Sequence, residues 1–187
     1  MNERQFGARL TSDGASFSLW APAAKRVELL LDTSHPMQRG EGAALLEMVR
    51  ALAESHNLLH TVLATPEMFE AAMFSEAPIV GTLMAEYDGK LAGCAVWHRS
   101  FSTNRGAEVM YLEDLSVLPE FRRRGVARAL LKAVARLALS KNYASIYWLM
   151  MDWNKDARAL YASIGAEIEP GTTFCRIRDD ALRALAT

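Results

Sequence analysis

The sequence predicts an α/β protein: a mixed β-sheet with a central splayed parallel pair, flanked by helices, plus an N-terminal β-hairpin. Three observations predict it. "VGTLMAEYDGKLAGCAVWHRSF" places two apolar strands around Asp88-Gly89, a tight hairpin signal. Residues 108–151 then read strand, helix, strand, the pattern of a parallel βαβ unit with a right-handed crossover. Within it "SIYWLMM" is continuously apolar, as expected of a strand in a sheet interior.

The elements follow in chain order. Residues Ser16–Trp20 and Arg26–Leu31 read as two strands joined by a turn containing Pro22. "DTSHPMQRGEG" is a polar loop with a proline and two glycines, the best candidate boundary. It divides the chain into a hairpin segment, 1–42, and a main domain, 43–187. "AALLEMVRALAES" carries apolar residues at 45, 46, 49, 52 and 53, the spacing of an amphipathic helix. Thr65-Pro66-Glu67 reads as an N-cap, a proline at the first helical position and an early acid, opening a second helix. After the hairpin and a polar turn at Ser102–Gly106 comes the strand "EVMYLEDLSV". The helix at 124–141 puts Val126, Leu130, Val134 and Leu137 on one face and Arg128, Lys132 and Arg136 on another. "NKDARALYASIG" is a short helix with Asn154 as N-cap and Gly165 as terminator. Two last strands and a helix, Asp179–Ala186, complete the expected order.

Composition excludes several functions. Half of the 187 residues are apolar, which suits a soluble, cored protein. With 22 acidic and 21 basic side chains, no overall field favours nucleic acid or an anionic membrane, so any anion site is local. Cys94 and Cys175 form no C-x-x-C pair, so reduced, cytoplasmic thiols are expected. The histidines (His35, His56, His60, His98) show no H-E-x-x-H pattern, and no metal is expected; His56 and His60 read as surface residues. The opening "MNERQFGARL" lacks an apolar signal core, and no apolar run reaches the roughly 18 residues of a membrane span.

One local anion site stands out. "LPEFRRRGVARALL" sets three arginines before a glycine at the mouth of a helix. There the strand-to-helix turn presents free N–H groups at the positive end of the helix dipole. Gly125 and Ala127 let a ligand approach the backbone. A solvated basic turn opening an ordinary helix is the other reading of this stretch alone.

"YLEDLSVLPEFRRRGVARALL" followed by "MDWNKDARALYASIGA" resembles the GNAT superfamily of acyl-CoA-dependent N-acetyltransferases. The family's R/Q-x-x-G-x-G/A signature is met by Arg122, Gly125 and Ala127. "YLEDL", "DWN" and "LYASIGA" are most similar to the diamine (spermidine/spermine or thialysine) acetyltransferase branch, over about residues 43–187. The resemblance implies the GNAT fold, acetyl-CoA as co-substrate and a small primary amine as acceptor. Backbone groups of Leu115, Ser116 and Val117 would hold the pantetheine arm. Arg122, Arg123, Arg124, Gly125, Val126, Ala127 and Arg128 would wrap the pyrophosphate, with Asn154 and Ala157 also on the cofactor. Glu113 would bind the amine and act as general base. Asp114 and Trp148 would complete the amine site, and Tyr161 would contact the cofactor and protonate the departing thiolate. A homodimer is a further expectation.

From the residues alone, Glu113 and Asp114 point to opposite faces of a regular strand, so only one serves a given site unless a bulge intervenes. Tyr161 shares an apolar helical stripe with Ala157, Leu160 and Ile164, where a core tyrosine is the ordinary occupant.

The sequence departs from the family in three places. The stretch after the first helix, "ESHNLLHTV", lacks a tyrosine–acid pair, though Glu54 remains. "EPGTTFCRI" lacks the aromatic expected before the last strand, which makes a long polyamine a weaker expectation than a small amine. The family's opening strand is missing. In its place "FGARLTSDGASFSLWAPAAKRVELLLD" and "HPMQRGEG", about residues 5–42, resemble the start of the N-terminal β-module of maltooligosyltrehalose trehalohydrolases. The segment 26–31 is expected to replace that strand, with 16–20 paired outside it. A silent acyl-CoA-binding regulator and a glucan-associated binding protein are the alternative functional readings.

Overall fold

The Asp88-Gly89 hairpin forms as its turn residues dictate, both with positive φ (50° and 73°), joining β4 (Gly81–Tyr87) to β5 (Lys90–Ser102). The computed structural model describes residues 7–11, 14–18, 27–31 and 41–186. The chain divides into two compact units, Met1–Leu149 and Met150–Thr187.

Among the described residues of the first unit, seven strands form one sheet in sequence order. They are β1 (Gly7–Thr11), β2 (Gly14–Ser18), β3 (Val27–Leu31), β4, β5, β6 (Ala107–Val117) and β7 (Ile146–Tyr147). Every neighbouring pair is antiparallel except β6 and β7. Five consecutive residues of β5, 92–96, are buried, so the sheet is covered on both faces. α1 (Glu41–Ser55) and α2 (Pro66–Phe74) cover the face of Cys94 and Val96, where Leu45, Met48 and Met73 complete the cluster. α3 (Val126–Ser140) packs on β4, β5 and β6. Val126, Leu130, Val134 and Leu137 are buried there, while Arg128, Lys132 and Arg136 stay exposed. Thr65 caps α2, accepting a 3.4 Å bond from the Met68 N–H, and Pro66 occupies its first turn. Among the described residues, no helix is long and apolar enough to cross a membrane.

Several expectations need correction. The front of the chain adds β1 to the two expected strands, and the strand expected at 16–20 begins earlier, at Gly14; Leu19, Trp20 and Pro22 lie outside the described residues. The pairing of β3 overturns no expectation: it runs antiparallel to β4 along its whole length, Val27 opposite Tyr87 and Leu31 opposite Leu83. The strand expected over 145–151 pairs at two residues only, Met110 with Ile146 and Tyr111 with Tyr147. The parallel pair therefore splays after Tyr111 rather than after residue 115. β6 bulges immediately beyond that point, and the added twist carries its later residues away from β7.

The second unit contains α4 (Lys155–Ala162) and α5 (Asp179–Leu185). Residues 166–178 form neither of the two expected strands. Gly171 turns the chain at φ 81°, and Ile168, Phe174 and Ile177 are exposed, so no apolar face is buried to hold a strand.

Candidate active site

The arginine turn is built from the end of β6. Arg122 Nε donates a 3.2 Å bond to the Val117 carbonyl, tying the turn back to the strand. Arg123 takes a left-handed conformation at φ 60°. The Arg124 guanidinium lies 5.2 Å from the centre of the Tyr87 ring, a cation–π contact, and that ring packs on Phe121. Gly125, at φ 85° and ψ −1°, is the N-cap of α3, a conformation glycine adopts without a side-chain clash. No side chain caps this helix start, and its first turn holds no acid. Arg122, Arg123, Arg124 and Arg128 are exposed around it. The arrangement suits a dianionic phosphate group. Arg122 also acts on the end of α1: with burial as the larger cause, its charge lowers the His56 pKa. His56 is half-buried there, not a free surface histidine.

The two carboxylates are reconciled by a bulge. On β6, Asp114 lies opposite Val96 and Leu112 opposite Trp97, which leaves Glu113 as the extra residue. Counting from either end of the strand, Glu113 and Asp114 now share one face. Asp114 sits with Ser116, whose hydroxyl donates 3.1 Å to the Met48 carbonyl of α1. Burial, and secondly the charge of Glu113, push the Asp114 carboxyl up to about 6. Burial and the charge of Asp114 also push the Cys94 thiol well up, so it remains protonated. Glu113 itself is largely exposed, its side chain 58% accessible.

The same face carries two residues that the sequence reading did not single out. His98 on β5 lies opposite Tyr111, and the rings stack with centroids 5.0 Å apart. The turn at Ser102–Gly106 fixes this register, so pairing outward from it is the signal that finds His98. Burial, then the charge of Glu113, raise the Tyr111 hydroxyl. Beyond the end of the β7 ladder, Leu112 to Val117 have no strand neighbour on that edge among the described residues, an edge that suits an extended ligand. A groove of about 480 Å³ runs along α1 to Leu118, at the start of the arginine turn. Its Glu47 and Glu54 outnumber Arg50. Trp148 is half-buried after β7.

The remaining expected residues belong to the second unit. Asn154 caps α4, its Oδ1 accepting 3.0 Å from the Ala157 N–H. Tyr161 is buried, and burial raises its hydroxyl pKa, which keeps the side chain neutral. Ile164, expected on the same buried stripe, is exposed. Among the described residues, no cluster of side chains could hold a metal ion.

Comparison with known proteins gives this geometry its context. The model of the acetyltransferase (GNAT) family matches residues 45–166, and that of carbohydrate-binding module 48 (isoamylase N-terminal domain) matches residues 5–64. The chain is 33% identical to the thialysine N-epsilon-acetyltransferase of Bos taurus, over 80% of this chain and 94% of that one. Identity to the Mus musculus protein of the same name is 35%, over 76% and 89%. Among solved structures, the integron cassette protein VCH_CASS6 of V. cholerae superposes with a TM-score of 0.66 at 23% identity, covering 86% of this chain and 97% of that one. The aminoglycoside N-acetyltransferase AAC(6')-Iy in complex with CoA gives 0.62 at 22% identity, covering 86% and 100%. An uncapped, arginine-ringed α3 after a splayed strand and a family match over 45–166 agree: the chain belongs to the GNAT acetyltransferase family, N-acetyltransferases that use acetyl-CoA as co-substrate.

Proposed function

We propose that the protein acetylates a primary amine of a small, cationic molecule, a thialysine-like or diamine acceptor, by direct transfer from acetyl-CoA. One observation carries the acceptor class: the β6 bulge turns Glu113 and Asp114 onto one face beside the open strand edge. Two adjacent carboxylates there suit an ammonium, and the Glu47 and Glu54 groove suits a second positive charge. The similarity to thialysine N-epsilon-acetyltransferases favours the same class.

Each group has a role in this reading. Arg122 to Arg128 and the first turn of α3 hold the pyrophosphate. The edge at Leu115, Ser116 and Val117 receives the pantetheine arm, and its N–H donors face the oxygen on which charge develops. Bound acetyl-CoA supplies an activated acyl group whose thiolate leaves readily. Glu113 holds the amine and draws off its proton, with Asp114 adding negative potential and Trp148 lining the site. On the family resemblance, Tyr161 returns a proton to sulfur, and Asn154 and Ala157 bind the cofactor. The acceptor is a small molecule rather than nucleic acid or membrane. We place the reaction in the cytosol and expect a homodimer.

The front segment has a structural role in this reading: β3 stands in for the family's first strand, 1–42 precedes a catalytic domain at 43–187, and glucan binding is not retained. The match to carbohydrate-binding module 48 favours the opposite reading, which a thermal shift with maltooligosaccharides would support. No such shift is expected.

Kinetics test the assigned chemistry. Tyr161→Phe keeps the ring but removes the proton, so kcat should fall about tenfold or more with little change in acetyl-CoA affinity. Glu113→Gln should lower kcat/KM for the amine by a similar factor. Turnover of both variants within about twofold of the parent means the roles are misassigned.

A further inference from the structure

We propose that the immediate acceptor of the substrate's proton is the His98 imidazole, acting as a dyad with Glu113. The inference rests on the acetyl-transfer reading and divides one role within it: Glu113 holds the ammonium, and its proton passes to His98 rather than to the carboxylate. The imidazole lies on the Tyr111 ring with their planes 27° apart, which fixes its orientation. Its Nδ1 is 3.1 Å from the Arg99 carbonyl oxygen. A carbonyl can only accept, so Nδ1 carries the hydrogen and Nε2 is the basic nitrogen of the neutral ring. Nε2 faces Glu113 Oε2 across 3.8 Å. That gap is too long for a direct hydrogen bond and short enough for one nitrogen to bond both groups. Two acceptors so placed call for a donor between them, and a primary ammonium is one.

The neighbouring groups suit His98 to the task. Tyr111, with its raised hydroxyl, remains protonated and offers no base. Asp114 is the competing carboxylate on the same face, but it is half-buried and closed in by Cys94 and Ser116. α1, packed on this side of the sheet, brings Glu47, Arg50 and Glu54 to its own groove. The His98 side chain is 38% exposed, so a proton received there can pass to solvent.

The transfer balances as follows. One N–H bond of the ammonium breaks, and its proton bonds to Nε2, where the Glu113 carboxylate stabilises the imidazolium. The freed electron pair forms the bond from nitrogen to the thioester carbonyl carbon. The carbon–sulfur bond then breaks with its electron pair leaving on sulfur. In the acetyl-transfer reading Tyr161 gives its proton to that sulfur, the second proton of the attacking nitrogen replaces it on Tyr161, and His98 releases the first to water.

The test uses the full chain, acetyl-CoA and thialysine, with diamines and aminoglycosides as further acceptors; the acceptor that the parent turns over fastest is carried forward. His98→Gln keeps size and polarity, and His98→Ala opens a space for added imidazole. Both should lose about 100-fold or more in kcat/KM for the amine, while calorimetric CoA affinity stays within about twofold. Imidazole should restore at least about tenfold to His98→Ala and nothing to His98→Gln. Glu113→Gln should weaken amine binding to the CoA-loaded protein, read by calorimetry. Turnover of the His98 variants within about threefold of the parent overturns the proposal, as does a loss that imidazole does not repair. A parent that binds CoA yet acetylates none of these amines overturns the acetyl-transfer reading and this dyad together. An active parent with indifferent His98 variants overturns the dyad alone.

Discussion

Gly125→Glu is expected to weaken coenzyme A binding roughly tenfold or more while the secondary structure persists. Two effects act together. At φ 85° the glutamate side chain meets a backbone conformation that costs L-residues about 1–2 kcal/mol. Its carboxylate then stands at the uncapped start of α3, where phosphate oxygens are to sit, and turns attraction into repulsion. The turn is exposed and the buried anchor, Val126, is untouched, so the helix should remain packed. Gly125→Ala separates the causes, since it carries the strain without the charge. Calorimetry with CoA reads both variants, and unchanged affinity in Gly125→Glu would place the cofactor elsewhere.

The second large effect is on stability. Asp114 titrates at about 6 in the folded chain against an ordinary 3.8. Between those values the folded state binds more protons than the unfolded chain, so this group's contribution to stability falls as pH rises. It is fully present below about pH 4 and lost on passing about pH 6. Two units correspond to at most about 3 kcal/mol. Asp114→Asn removes the burdened charge, so at pH 8 it should gain about 2 kcal/mol, a rise in Tm of roughly 4–8 °C. At pH 4 the gain should vanish. A gain independent of pH would mean that packing, not charge, is responsible. Stability gained by removing a carboxylate is what burying it, with a second carboxylate beside it, leads one to expect.

The sequence made the central elements legible because their signals are local. Asp88-Gly89 specifies a hairpin turn, Thr65-Pro66 starts a helix, and the four-residue rhythm of Val126, Leu130, Val134 and Leu137 marks the buried face of α3. Gly125 could be placed at the start of α3 from its neighbours alone, whereas the anion reading of that turn needed the resemblance that runs through "DWN" and "LYASIGA". What escaped depends on pairing between strands. The bulge at Glu113 is a property of β5 and β6 together, and no residue of "YLEDL" announces it. Without the bulge one carboxylate appears to face away, and His98 appears unrelated to either. "SIYWLMM" is apolar enough for a long strand, yet β6 twists away after two pairs. "EPGTTFCRIRD" reads as β-rich, but a strand requires a partner as well as a composition.

The most direct test of the account is release of CoA thiol from acetyl-CoA by the intact chain, with mass spectrometry of the acceptor. Thialysine, lysine, diamines, polyamines and aminoglycosides form the panel. The account predicts thiol release with at least one small primary amine, matched by an equal amount of N-acetylated product, and loss of that turnover in Gly125→Glu. CoA binding without acetylation of any amine in the panel would contradict it and favour a silent acyl-CoA-binding regulator.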